Sequence, residues 1–395
     1  MTYRYRIAVI FLAGFFIDCI NIFMSAIALP DISRELHISE SSVVWVANSY
    51  ILGLTLIIPV SNWIASLAGA RLTMMASMLI FSIGALLSGL STDFYSLVIF
   101  RFIQGIGGGL LIPVGQALTF GMFKKDERAR VSTLIMVVAL IAPACSPTVG
   151  GAIVDHLSWR WVFLGNIPFS LITAALALLW IKAGKTRAHR PDLMGLMLVS
   201  LTLTALLLGM SLYASAFNKV VALSLVLAGV ILALLYLKHY RQHASPILDL
   251  SVLYNPPMRF SVIIYHAIPG VFTGVNLLSI FFLQQVLGWS ASKTGMMMVL
   301  YAAGAFCAMM MCGRLYNRTG AAPLFRIGLL LHAAGIALLA LVGTTHDLPV
   351  LIIAYLLMGT GGGIGGETEP LLAQHERAVV DPLDRHDRGT RPVDP

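Results

Sequence analysis

Charge is what this chain of 395 residues lacks: Asp, Glu, Lys and Arg make up 11% of it, and the acids number 18. Soluble domains carry about 25% charged residues, so a soluble globular domain is excluded. Cysteine is scarce too. Cys19, Cys145, Cys307 and Cys312 all lie in apolar stretches without metal-ligand spacing, so they read as small hydrophobes. No G-x-x-x-x-G-K-[ST] loop occurs, which excludes ATP-driven work by this chain. Gly361, Gly363 and Gly366 fit G-x-G-x-x-G, but an apolar helix contains them and no strand precedes it, so a nucleotide site is not expected there. No cluster of His, Asp or Glu is visible near a membrane interface, and the chain reads as not an enzyme.

What is present is apolar sequence. Hydrophobic residues make up 58% of the chain. Twelve apolar segments can be delimited, near 7–29, 43–65, 72–90, 96–118, 131–153, 162–181, 194–213, 220–237, 260–286, 294–312, 323–343 and 348–365. All should be helices, because a backbone in lipid must satisfy its own hydrogen bonds. The expected fold is therefore an all-α, multi-pass helical bundle. The first run is too long for a signal-peptide core and holds Asp18, so it reads as an uncleaved first span. The net charge of +8 resides in short loops and is not a nucleic-acid signal. With the N-terminus inside, the inner segments hold 17 Lys and Arg and the outer loops four: Arg34, Arg160, Lys219 and Lys293. That bias orients the chain with a cytoplasmic N-terminus.

The rest is organised around residues 98–117, VIFRFIQGIGGGLLIPVGQA. The stretch is long enough to cross a bilayer, yet it carries Arg101. A central arginine costs roughly 2.5–3.5 kcal/mol on insertion scales, so it should face protein or a watery cavity. Gln104 follows at i+3 on the same face. Gly105, Gly107, Gly108 and Gly109 then allow close helix approach. The alternative is a glycine-packed helix whose arginine only salt-bridges a neighbour. Asp18 is the only acid deep in a span. Burial opposes its charged form and a nearby Arg101 would favour it, so it is a candidate for proton exchange; a static ion pair with Arg101 is the other reading. His266, near Pro269, is a candidate titrating group or an ordinary core histidine. Asn48, Gln116, Asn276 and Gln284 either line a cavity or bridge helices.

An internal repeat is visible. SNWIASLAGARL (61–72) resembles CGRLYNRTGAAP (312–323), with Gly69 matching Gly320 at an offset of 251. FIQGIGGG (102–109) resembles LLMGTGGG (356–363) at an offset of 254. Parallel repeats of this kind build transporters with a site between two halves. The chain then divides into a six-helix half at 1–181, an inserted two-span region at 182–240, an incomplete second half at 241–366 and a polar tail at 367–395. The 29-residue tail holds seven of the 18 acids and is expected to be disordered. A truncation or frame change near Gly366 would explain the abrupt switch, and a naturally short relative is the alternative.

These motifs resemble those of the fourteen-span drug:proton antiporters of the major facilitator superfamily. Span 1 has the acid–Asn–Ala-Leu-Pro opening in Asp18, Asn21, Ala28, Leu29 and Pro30. Arg101, Gln104 and Gly105 match an Arg-x-x-Gln-Gly element in span 4. SWRWVFLGNIPFS (158–170) is similar to the start of that family's span 6, and LQQVLGWSASKTG (283–295) to the element after its inserted pair. In APACSPTVGG (142–151), Pro147, Gly150 and Gly151 match the span 5 antiporter signature, while Ala142 and Ser146 replace glycines. In the loop between spans 2 and 3 only Gly69 and Arg71 survive, and Ser66 stands where an aspartate is usual. The repeated loop keeps Gly313, Arg314, Arg318 and Gly320, with Asn317 in the acid position.

The resemblance implies about twelve of fourteen spans and a proton-coupled exporter of small, amphipathic or drug-like compounds. Asp18, Asn21, Arg101, Gln104 and His266 would serve coupling and the cavity. Gly69, Arg71, Pro147, Gly150, Gly151, Gly313, Arg318 and Gly320 would serve gating and packing. It implies no cofactor beyond the proton gradient, a small-molecule substrate and the lipid bilayer as partners, no nucleic acid, and a bacterial-type inner membrane. The sequence names no accessory efflux protein. The alternatives are a carrier of one specific metabolite, with Arg101 as an anion ligand, and a truncated, non-transporting membrane protein.

Overall fold

The computed structural model describes residues 2–124, 127–184, 192–214, 218–243, 246–248, 250–254, 256–319, 321–343 and 347–364. Fourteen α-helices run along them. These are α1 (Tyr3–Glu35), α2 (Glu40–Val43), α3 (Trp45–Ala68), α4 (Ala70–Leu90), α5 (Phe94–Met122), α6 (Arg128–His156), α7 (Arg160–Leu164), α8 (Asn166–Trp180), α9 (Leu193–Ala214) and α10 (Lys219–Gln242). They continue with α11 (Pro256–Phe281), α12 (Ala291–Thr319), α13 (Ala321–Leu339) and α14 (Leu348–Ile364). Among the described residues there are no strands. Among the described residues nine helical stretches are long and apolar enough to cross a membrane, with α2 and α3 forming one and α7 and α8 another. Three shorter apolar helices, Gly270–Val286, Pro323–Leu339 and Leu348–Ile364, account for the remaining apolar segments. The chain is an all-α, multi-pass membrane protein.

Local sequence sets the breaks. Asp93 caps α5 by accepting from the Ser96 backbone N–H at 2.9 Å, which satisfies one orphan donor of the helix start. Asn218 caps α10 in the same way. Gly69 separates α3 from α4 with φ of 81° and ψ of 148°, a backbone region open essentially to glycine alone. The first helix runs to Glu35, six residues beyond the apolar run. Its polar last turns stay helical with an Arg34–Asp31 pair at i,i+3 and Arg34 near the helix C-terminus, where a cation is favoured.

The chain divides into two compact units. The first holds residues 1–249 and 289–295, the latter including the first turn of α12. Within it α5 packs against α3 and α4, α1 against α6, α4 against α8, and α9 against α10. Its core includes Phe11, Tyr50, Met74, Met78, Phe81, Leu111 and Val114. Asn48 donates to the Ser211 hydroxyl at 3.3 Å, so this polar residue bridges α3 to α9. The second unit holds residues 250–288 and 296–395, and its described part is built on α11, most of α12, α13 and α14.

Candidate functional site

The glycines of α5 create the site. A Cβ on Gly105 would collide with the Tyr50 carbonyl, one on Gly107 with the Phe81 backbone, and one on Gly109 with Leu54. Helices α3 and α4 therefore approach α5 to backbone contact, as small-residue faces permit. Ser77 reinforces the contact by donating to the Gly107 carbonyl at 2.7 Å. That proximity brings side chains from α1, α3 and α5 together around Arg101.

Arg101 is fully buried. Its Nε donates to the Val46 carbonyl at 3.0 Å. One terminal nitrogen donates to Asn21 Oδ1 at 3.1 Å and Gln104 Oε1 at 2.7 Å, and the other to Ser25 Oγ at 3.2 Å. Gln104 also donates to Asn21 Oδ1, at 3.2 Å. The guanidinium carbon lies 4.4 Å from the centre of the Tyr50 ring and 5.1 Å from that of Phe163, a cation–π arrangement strengthened by exclusion of water. Four of the five N–H groups are thus committed to neutral acceptors.

Asp18 is 3% exposed and accepts a hydrogen bond from the Tyr50 hydroxyl. Among the described residues Asp18 and Arg101 form no ion pair; Tyr50 touches both. Gly108 provides the seat, since a Cβ there would lie 2.5 Å from Asp18 Oδ1 and 2.6 Å from the Tyr50 hydroxyl. Asp18, Asn21, Arg101 and Gln104 therefore lie in one group. Tyr50, Ser25, Phe163 and the Val46 carbonyl complete the arrangement and were not singled out from sequence. Tyr50 has one signal: it lies 251 residues before Tyr301, the offset of the internal repeat.

The repeat holds in three dimensions within the second unit. Gly359, the counterpart of Gly105, would place a Cβ against the Tyr301 carbonyl; Gly362, like Gly108, meets the Tyr301 hydroxyl; Gly361, like Gly107, meets the backbone of His332, the counterpart of Phe81. The chemistry is not duplicated. Tyr355 and Met358 stand where Arg101 and Gln104 do. His332 is buried, its Nδ1 lies 2.9 Å from the Met358 carbonyl, and its Nε2 has no hydrogen-bond partner among the described residues.

The remaining candidates scatter. Gly150 packs against Met24 and Ile27 of α1. Gly151 and Pro147 meet the first turn of α12, where Cβ atoms on Gly151 or Gly295 would strike backbone, and Thr148 donates to the Gly295 carbonyl at 3.1 Å. Asp155 accepts from the Ala291 and Ser292 N–H groups at 3.0 and 2.8 Å and so caps α12 from another helix. Gly69 is the break already described. Arg71 has its Nε buried without a hydrogen-bond partner among the described residues, while Ser66, in the place of the usual acid, bonds back to the Trp63 carbonyl at 2.7 Å. His266, Gly313 and Arg318 lie on helices, but their surroundings are outside what is described, as are Gly320 and the whole 367–395 tail.

Charge pairs close the two ends of α1. At its start Arg4 donates to both oxygens of Glu127, at 2.8 and 2.7 Å, and lies over the Phe123 ring. Glu127 also accepts from the Lys124 backbone N–H at 3.3 Å. At its end Glu35 accepts from Arg160 at 2.5 Å and from Trp159 Nε1 at 2.7 Å.

Known proteins resemble this chain along most of its length. The sequence model of the Major Facilitator Superfamily matches residues 11–376. A Mycobacterium tuberculosis protein named multidrug resistance protein B homolog is 30% identical over 353 residues, 86% of this chain and 65% of its own. An uncharacterized MFS-type transporter of Bacillus subtilis, YhcA, is 28% identical over 82% of this chain and 61% of its own. The putative multidrug resistance protein MdtD of Salmonella paratyphi B is 26% identical over 86% of this chain and 73% of its own. The chain thus spans roughly two thirds of the length of these relatives. Among solved structures, the partially occluded inward-open xylose transporter XylE of E. coli superposes with a TM-score of 0.60 at 14% identity, covering 96% of this chain and 88% of that one. A POT family transporter in complex with a thioalcohol-conjugated peptide gives 0.63 at 15% identity, covering 92% and 82%. At such identities the likeness is one of fold.

Proposed function

The chain belongs to the major facilitator superfamily, and from that premise we propose that it works as a proton-coupled secondary transporter exporting small, amphipathic, drug-like compounds. The observation that carries the proposal is the state of Asp18. It is a buried carboxyl held by one hydroxyl, beside an arginine whose charge is spread over neutral acceptors and two aromatic faces. An ionisable group inside a span marks a functional site by default. Because Asp18 is not locked in a contact ion pair, it can gain or lose a proton by exchanging one hydroxyl partner, and no salt bridge has to break.

Drug-like substrates are supported by the names of the Mycobacterium and Salmonella relatives. The excess of Lys and Arg in alternate loops supports a cytoplasmic N-terminus in a bacterial-type inner membrane. The proton gradient supplies the energy with no other cofactor, and the partners are the substrate and the bilayer, not nucleic acid. A carrier of one metabolite would need Arg101 as an anion ligand, and four of its five N–H groups are already committed. The test is export of a fluorescent quaternary cation from cells producing the protein. Export should stop when a protonophore collapses the gradient and in cells producing Asp18→Asn at equal membrane levels. Export that persists in both conditions would refute the proposal.

A further inference from the structure

The sequence shows no cluster of metal-binding side chains, but the fold assembles one at the end of the α9–α10 pair. His239 and His243 are spaced i,i+4 and so share a face where α10 ends. Their ring centres are 5.1 Å apart with 33° between planes. Asp192 precedes α9, 47 positions before His239, and its Oδ1 lies 2.8 Å from His239 Nε2. One potential ligand atom from each residue lies within 4.8 Å of the other two.

The carboxylate is held in place in advance. Oδ1 accepts from the Gly195 N–H at 2.8 Å and Oδ2 from the Ile247 N–H at 3.4 Å. Asp192 is 8% exposed, and its seat exists because residue 195 is glycine: a Cβ there would fall 2.1 Å from Oδ2. The segment carrying Ile247 is pinned in turn, since Leu248 N–H donates to the Tyr236 hydroxyl at 2.9 Å and that hydroxyl donates to the Leu248 carbonyl at 2.8 Å. Backbone donors that orient a ligating carboxylate are what a metal site requires around its ligands. A helix cap with one histidine partner would involve Asp192 and His239 alone, whereas the fold also stacks His243 on His239 and brings a third potential ligand atom into the same group. Lys238 and Arg241 sit one and two positions from His239 and therefore off the shared face.

We propose that Asp192, His239 and His243 bind one divalent transition-metal ion and that the ion clips the start of α9 to the end of α10. Two imidazoles and one carboxylate suit Zn²⁺, Co²⁺, Ni²⁺ or Cu²⁺, whereas Mg²⁺ and Ca²⁺ prefer oxygen ligands. Ligand bonds of about 2.0–2.2 Å put ligand atoms about 3.3–3.5 Å apart. The Asp192–His239 pair opens slightly, and the exposed His243 ring swings inward.

Titration of the purified, metal-stripped, tag-free chain in detergent with Co²⁺, read by visible absorption, and with Zn²⁺, read by calorimetry, tests this directly. One equivalent should bind, at least about tenfold more weakly in His239→Ala and His243→Ala. Zn²⁺ should raise the thermal midpoint of the wild type and not of His243→Ala, and an equal concentration of Mg²⁺ should raise neither. His243 is exposed, so its replacement leaves the helical circular dichroism unchanged. No saturable binding of either ion, or equal binding by the wild type and His243→Ala, would overturn the proposal.

Discussion

The Tyr50 hydroxyl donates to the Asp18 carboxylate while the same ring lies under the Arg101 guanidinium. Tyr50 thus couples the acid of α1 to the base of α5 without the two meeting. Tyr50→Phe should keep the ring beneath Arg101 and lose only the hydrogen bond, costing about 1–2 kcal/mol of stability. Tyr50→Leu should lose the cation–π contact as well and be less stable than Tyr50→Phe by a further ~1–2 kcal/mol. Thermal unfolding of the three proteins in one detergent checks the order; equal midpoints for Phe and Leu would remove the ring from the account.

Arg101→Lys keeps the charge and loses the planar fork. A lysine cannot serve Val46, Asn21, Gln104 and Ser25 together, and each buried acceptor left unpaired costs ~1–3 kcal/mol. The variant should insert normally, unfold at a markedly lower temperature, and transport at a small fraction of the wild-type rate. Wild-type stability in Arg101→Lys would show that the four hydrogen bonds contribute little.

The internal repeat makes a paired prediction. Gly105→Ala and Gly359→Ala each place a methyl group 2.0 Å from a tyrosine carbonyl, Tyr50 in one unit and Tyr301 in the other. Both should sharply reduce the yield of folded protein. Gly121→Ala, on the same helix as Gly105 but with nothing among the described residues within 4 Å of its Cβ, should be neutral or stabilising by about 0.4–1 kcal/mol. Size-exclusion profiles of the three variants in detergent provide the comparison.

The apolar helices are legible because each coincides with a run of apolar sequence, and the Asp18–Asn21–Arg101–Gln104 group because polar residues inside such runs are conspicuous. Tyr50 is not, since a tyrosine in an apolar helix looks like core and its two contacts come from helices distant in sequence. His332 carries no sequence signal for a similar reason: only its packing on Met358 and Gly361 marks it, and those residues lie on another helix. The grouping of Asp192 with His239 depends on a helix pair folding back on itself, which no local spacing records. The end of α1 is not legible from the apolar run, because its last turns are polar although they remain helical to Glu35.

Glu127 gives a pH dependence with a definite sign. The Lys124 backbone N–H and Arg4 hold its carboxyl below the usual carboxylate range. A lowered value means that the stabilising contribution is complete above the ordinary glutamate range and is lost as pH falls through the folded-state value. The wild type should therefore be more stable than Glu127→Gln by a constant margin from about pH 5.5 to 8, a margin that shrinks as pH falls below the ordinary glutamate range. Thermal unfolding across that range measures it, and a margin that grows on acidification would contradict the pairing.

Proton coupling through Asp18 is the central claim, and flux in purified proteoliposomes tests it most directly. Vesicles with an acid interior are placed in a neutral bath containing a quaternary ammonium dye, which cannot accumulate as a weak base. Wild-type protein should accumulate the dye only while the gradient stands, and Asp18→Asn, reconstituted at equal density, should not accumulate it at all. Accumulation by Asp18→Asn at the wild-type rate would contradict the assignment.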